Sequence, residues 1–240
     1  MAETNTSISA LALLAEQDPQ QLQLRAESLR SLEFAADDSM HDGAFRGVKF
    51  PMLERLVLDA SDQNEEPASS PHLRILKLKY SVTEQASISP RELIHLAQGL
   101  PHAQQLEISG HVQALELESN HMATIAEALP NLRILHLAFE CSLTEAALIE
   151  LGQKCGSEMT DCELWGSYAL QNLEGSGVSF PLLLDLVLGK LVPPASGNTD
   201  SQAANAARLV KELAPSLSFF DVVAEDSFAT LVDTYWRGPA

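Results

Sequence analysis

The residues able to do chemistry are scattered along this chain rather than gathered. Histidines stand at positions 41, 72, 95, 102, 111, 121 and 136, with no pair at metal-ligand spacing on one helix. Cys155 and Cys162 have no accompanying ligands, so no zinc site is expected, and Cys162 reads as a small buried hydrophobe. Gly175-Ser176-Gly177 lacks the flanking Gly-x-Ser-x-Gly arrangement, and the preceding strand, of a nucleophile elbow. No Gly-rich phosphate loop appears. The 33 Asp and Glu residues are abundant, but abundance without convergence gives no acid–base pair. The expectation is therefore a protein that is not an enzyme and that needs no cofactor and no metal.

Composition narrows the partner classes. Fifteen Lys and Arg oppose 33 Asp and Glu over 240 residues, a formal charge of −18 that repels phosphate backbones, so no nucleic acid is expected as a partner. Hydrophobic residues make up 45% and charged residues 20%, an ordinary globular balance. Three cysteines (Cys141, Cys155 and Cys162) form no paired framework and suit a reducing compartment, the cytoplasm or nucleus. No apolar run reaches the roughly 20 residues that span a bilayer, so no membrane is expected either. Nor does the N-terminus carry a basic residue before Arg25, against a secretory signal or transit peptide.

The elements that must position any site follow from an internal repeat. Leu-Arg-Ile-Leu-Lys-Leu at 73–78 returns as Leu-Arg-Ile-Leu-His-Leu at 132–137. Generalised to apolar-x-x-apolar-x-apolar, the frame starts eight times, at Leu29, Leu53, Leu73, Ala103, Leu132, Met159, Leu183 and Leu217. An independent mark accompanies it. Proline stands two residues ahead of six of the eight frames, at 51, 71, 101, 130, 181 and 215, where chance supplies about 0.4. Such a proline ends a helix and turns its neighbour extended, which predicts helix, Pro, strand in succession. Helical periodicity predicts helices over Pro90–Leu100 capped by Ser89, His121–Leu129, Ser142–Lys154 capped by Ser142, and Ala203–Ala214 capped by Ser201. Phe228–Trp236 has the spacing of a terminal capping helix. Residues 59–70 and 193–202 read as loops, and the alternating run Val112–Leu117 finds no place in the eight frames.

The frame and its leading proline resemble the leucine-rich repeat in its longer, ribonuclease-inhibitor-like style. The Pro-x-Leu-x-x-Leu-x-Leu opening is similar to the repeat region of fungal and plant F-box proteins, over roughly residues 20–225. The resemblance implies an α/β leucine-rich-repeat solenoid of about eight irregular repeats, with a curved parallel sheet on the concave side and helices and loops on the convex side. Residues 1–28 would be an N-terminal helical cap or incomplete repeat, including a helix over Ser7–Gln17. The solenoid would fill 29–223 and a capping helix and tail 224–240. An F-box itself is not found in this sequence.

In such a sheet the third, fifth and seventh places of each frame face outward on the strand side. Nine of those 24 places are apolar, seven acidic and three basic. The basic ones, Arg55, Lys77 and Lys79, fall in the second and third units. Toward the end gather Asp161, Glu163, Asp185 and Asp221, beside Trp165 and Phe219. All nine are candidate partner-binding residues, because aromatic anchors ringed by charge are typical of interfaces. Asp161 and Glu163 are expected at the surface, where a charge reversal leaves stability nearly unchanged. His136 lies on the same face, either as an ordinary surface histidine or as a pH-sensitive contact. The expected function is a non-catalytic scaffold for a protein partner, itself monomeric. The resemblance implies the substrate-recognition part of an F-box-type ubiquitin ligase, with ligase components as partners. The alternative is an acidic inhibitor-type binder of a basic protein or enzyme.

Overall fold

In the computed structural model, residues 30–35, 53–60, 72–80 and 86–238 are described. Eight strands lie side by side in chain order: β1 (Ser31–Ala35), β2 (Arg55–Ala60), β3 (Ile75–Tyr80), β5 (Gln105–Ala114), β6 (Ile134–Cys141), β7 (Asp161–Tyr168), β8 (Asp185–Leu191) and β9 (Phe219–Val222). A two-residue strand, β4 (Ala86–Ser87), pairs with β5 off this path. Every pairing is parallel, so the fold is α/β with one parallel sheet.

Each strand begins two residues into a frame. The paired register then stacks like places of successive frames, as in Leu76, Leu106, Leu135, Cys162, Leu186 and Phe220, all at most 1% exposed. Burying each of the leucines contributes about 2 kcal/mol. That inward row packs against the helices α1 (Pro90–Gln98), α2 (Ser119–Ala128), α3 (Glu145–Lys154), α4 (Thr199–Leu213) and α5 (Ser227–Arg237) in one continuous core. Between β7 and β8 a single 3-10 turn, Leu170–Leu173, replaces a helix. Neighbouring helices also meet each other, α2 with α3 and α4 with α5.

Helix starts follow local hydrogen bonding more than periodicity. Ser89 caps α1 through a full capping box with Glu92, and the Ser89 N–H and hydroxyl hold the Glu92 carboxyl below the usual carboxylate range. Two predicted caps are corrected. Ser142 donates to the Leu115 carbonyl at 2.6 Å, which leaves Thr144 at the N-cap of α3. Asn198, not Ser201, caps α4, its Oδ1 accepting from the Asp200 and Ser201 amides. The helix therefore begins at Thr199, inside the stretch expected to be loop. Similarly, α2 starts at Ser119, two residues ahead of its expected position.

The run at Val112 continues β5 past a bend. Gly110 has φ of 103°, and β5 loses register with β6 between Ser109 and Gln113 before pairing again at Gln113–Glu140 and Ala114–Cys141. A Cβ at Gly110 would lie 2.1 Å from the Tyr80 carbonyl oxygen, so only glycine allows that close approach. Strand β7 slips likewise between Leu164 and Ser167, around Gly166. At the other loop, Asp59 and Ala60 belong to β2, while residues 61–70 lie outside the described residues, as do the expected helix over Ser7–Gln17 and the whole 1–28 cap.

Candidate functional site

The open face of the sheet carries the third, fifth and seventh places of each frame. Where their side chains are described they are half-buried or exposed, apart from Gly189, whose backbone packs on Gly166. Gly189 therefore offers nothing to a partner.

Across the centre of this face the side chains satisfy one another. Lys77, Glu107, His136 and Glu163 are register neighbours on β3, β5, β6 and β7. Lys77 Nζ donates to Glu107 at 3.0 Å, and Gln105 supplies the same carboxylate with a second donor. His136 Nδ1 sits 3.7 Å from Glu107, while its Nε2 is 2.8 Å from Asp161 Oδ1. Burial works against a charge on His136, yet the Asp161 bond and the carboxylates of Asp161, Glu107 and Glu163 outweigh it and raise its pKa. The result is an ion-paired ladder spanning four strands, with His136 as its hinge.

Toward the C-terminal strands the ladder stops. Asp161, Asp185 and Phe219 are register neighbours, as are Glu163, Val187 and Asp221. Glu163 accepts from Trp165 Nε1 at 2.9 Å, which fixes the half-buried indole over β7. Asp221 accepts from the Val222 amide on β9. Phe219 is 45% exposed. These six candidate residues thus share one three-strand region. The three basic candidates occupy β2 and β3, four and three strand spacings from β7, about 19 and 14 Å. Arg55 donates to Ser31 Oγ and Lys77 is committed to Glu107, whereas Lys79 is exposed. Two features escaped sequence reasoning. Asp161 reaches His136 diagonally, one register step off, so it is not the unencumbered surface acid expected. The exposed pair Leu182 and Leu184, just ahead of β8, was also missed. Its signal was available, because no other frame has an apolar residue at both of the matching places.

Reactive chemistry finds little footing here. Burial pushes the Cys141 thiol up to about 11 and Cys155 up to about 12, and burial raises Cys162 as well. Thiols so shifted stay protonated and are poor nucleophiles. Among the described residues, no group of three or more His, Cys, Asp or Glu could hold a metal ion, and no helix is long and apolar enough to cross a membrane.

No family model matches the chain, and no curated protein matches it. Among solved structures it is similar to a chain of the crystal structure of the Rad7 and Elc1 complex in yeast, with a TM-score of 0.41 and 13% identity. The likeness covers 89% of this chain and 66% of that one, so the chain spans just under two thirds of its neighbour's length. The parallel sheet, with its strands in chain order and helices alternating between them, fits a leucine-rich-repeat-like fold.

Proposed function

We propose that this chain is a non-catalytic, monomeric scaffold of the leucine-rich-repeat solenoid type that holds a protein partner on the open, concave face of its sheet. One observation carries the reading: an in-register array of side chains on parallel strands, mixed in apolar and charged character and left half-buried or exposed among the described residues. The resemblance of the repeat to F-box proteins makes the substrate-recognition part of a ubiquitin ligase the specific form of this role, in the cytoplasm or nucleus. A second reading, an acidic inhibitor-type binder of a basic protein, is favoured by the acids on β7–β9. Salt separates the two, because capture dominated by charge weakens steeply with ionic strength and capture dominated by apolar burial does not.

The test is affinity capture from native extract, read by mass spectrometry. Wild type is compared with Glu163→Lys/Val187→Lys on the open face and Gln153→Lys on the helix side. A partner kept by wild type and the helix-side variant but lost by the face variant supports the reading. Identical partner sets from all three proteins would overturn it.

A further inference from the structure

Where both of its recurring places are described, the rim from which the strands enter the sheet is polar in every unit but one. Two places recur there, the residue just before each frame and the second residue of the frame. They hold His72 and Arg74, His102 and Gln104, Asn131 and Arg133, Glu158 and Thr160, then Ser216 and Ser218. Many of these stitch adjacent units together. Arg133 pairs with Glu158 at 3.3 Å, and Asn131 donates to the Pro101 carbonyl. Thr160 donates to the Arg133 carbonyl, Ser216 to that of Pro181 and Ser218 to that of Leu184. The β8 unit breaks the rule with Leu182 and Leu184, 50% and 46% exposed, on either side of the buried Leu183.

These leucines do not stand alone. Leu182 lies in the turn beside Pro181, and Leu184 in the stretch that leads into β8. The Leu184 carbonyl accepts from the Phe219 amide at 2.9 Å, which brings the exposed Phe219 of β9 alongside. Single exposed leucines are ordinary, but two at one point of the rim, with the exposed Phe219 on the open face of the next strand, make an apolar surface of the kind found at interaction sites. Acids border them. Asp185 follows Leu184 directly and lies between Asp161 and Phe219 in register, with Glu163 and Asp221 beyond. No Lys or Arg occupies the face positions of β7, β8 or β9. Arg237 of α5 feels the charge of Asp221 but is bonded to Asp233 at 2.7 Å.

We infer that Leu182, Leu184 and Phe219, bordered by Asp185, Glu163 and Asp221, dock a basic amphipathic helical segment of a partner protein. Charge selects that occupant. A second copy of the chain brings −18 of its own, and nucleic acid and anionic membrane carry the same repelling sign. A helix with apolar residues at i and i+4 presents them side by side on one face, and its flanking Lys or Arg meet the acids. This docking rests on the scaffold reading above and specifies its partner.

The test uses the full chain and a fluorescein-labelled peptide of about 15 residues, long enough to become helical when bound, with leucines on one face and lysines elsewhere. Its counterpart replaces every lysine by glutamate. Wild type should raise the anisotropy of the lysine peptide and not of the glutamate peptide. Leu182→Ser/Leu184→Ser should weaken binding by about tenfold or more at unchanged melting temperature. Asp185→Lys should weaken it and flatten its salt dependence, while Asn131→Ser on the polar rim leaves it unchanged. Binding unaltered in the leucine double variant, or absent in wild type, overturns the inference. So does sedimentation showing a wild-type dimer that the double variant dissolves, which would give the patch to a second copy. If the peptide fails while face-dependent capture from extract persists, the rim docking falls and the scaffold reading stands; if both fail, both fall.

Discussion

The centre and the C-terminal end of the open face are built on one backbone frame and solve the charge problem in opposite ways. At the centre, Lys77, Glu107, His136 and Asp161 close a ladder in which Lys77 faces Glu107 and His136, when protonated, sets a positive charge within 4 Å of both Glu107 and Asp161. On β8 and β9 the acids have no cation on their own strand faces and are flanked by exposed Phe219, Leu182 and Leu184. Charges that neutralise each other stabilise the fold locally and offer a partner little. Charges left without a counterion, beside apolar surface, cost the free protein some self-repulsion that a basic partner relieves. Position in the repeat therefore decides geometry, while the neighbouring strand decides whether a charged residue is structural or available.

The largest expected effect strikes the frame that both regions share. Leu135 is fully buried between Leu106 and Cys162, and Leu135→Asp places an unpaired charge there. A loss of more than about 4 kcal/mol, seen as a chain unfolded at room temperature by circular dichroism, is expected. A native melting curve would refute the common frame and with it the comparison. Next in size is Gly110→Ala, where a positive φ and the Tyr80 carbonyl together should cost about 3 kcal/mol in urea unfolding.

The two regions should then separate when matched acids are reversed. Asp161→Lys breaks the His136 bond and should cost about 1–2 kcal/mol, whereas Asp185→Lys, one strand on, should stay within about 0.5 kcal/mol. Equal effects would erase the distinction between paired and unpaired acids. The pH dependence sharpens the same point. His136 has its pKa raised in the folded chain, so its stabilisation is complete below the unfolded value near 6.5 and is lost as pH rises through the folded value. Wild type and His136→Leu should accordingly differ in unfolding free energy at pH 5.5 by more than at pH 8.5. A small effect belongs to Tyr168, a buried side chain whose hydroxyl has no hydrogen-bond partner among the described residues. Tyr168→Phe should be neutral or stabilising by up to about 1 kcal/mol in thermal unfolding, because it removes an unsatisfied donor.

Periodicity and proline spacing alone determined where the eight side-by-side strands fall and, where their side chains are described, which residues of the repeating frame turn inward. Those features arise within one unit, from side-chain alternation in extended chain and from a ring that cannot continue a helix. Five helices were legible for the same reason, although the cap at Asn198 depended on which side chain finds free amides, and the start at Thr144 on Ser142 bonding the Leu115 carbonyl instead. Tertiary structure decided the rest. The bend at Gly110 follows from how closely β5 passes Tyr80, a residue of another unit. Asp161 becomes part of the His136 pair because the adjacent strand brings the imidazole to it diagonally, a contact no single frame contains. Leu182 and Leu184 acquire meaning when the polar seam of the neighbouring units is laid beside them. In a parallel sheet, hydrophobic pattern places each strand, but the side chains that meet across strands are separated by 20 residues or more of chain, and only the stacked register shows which of them touch.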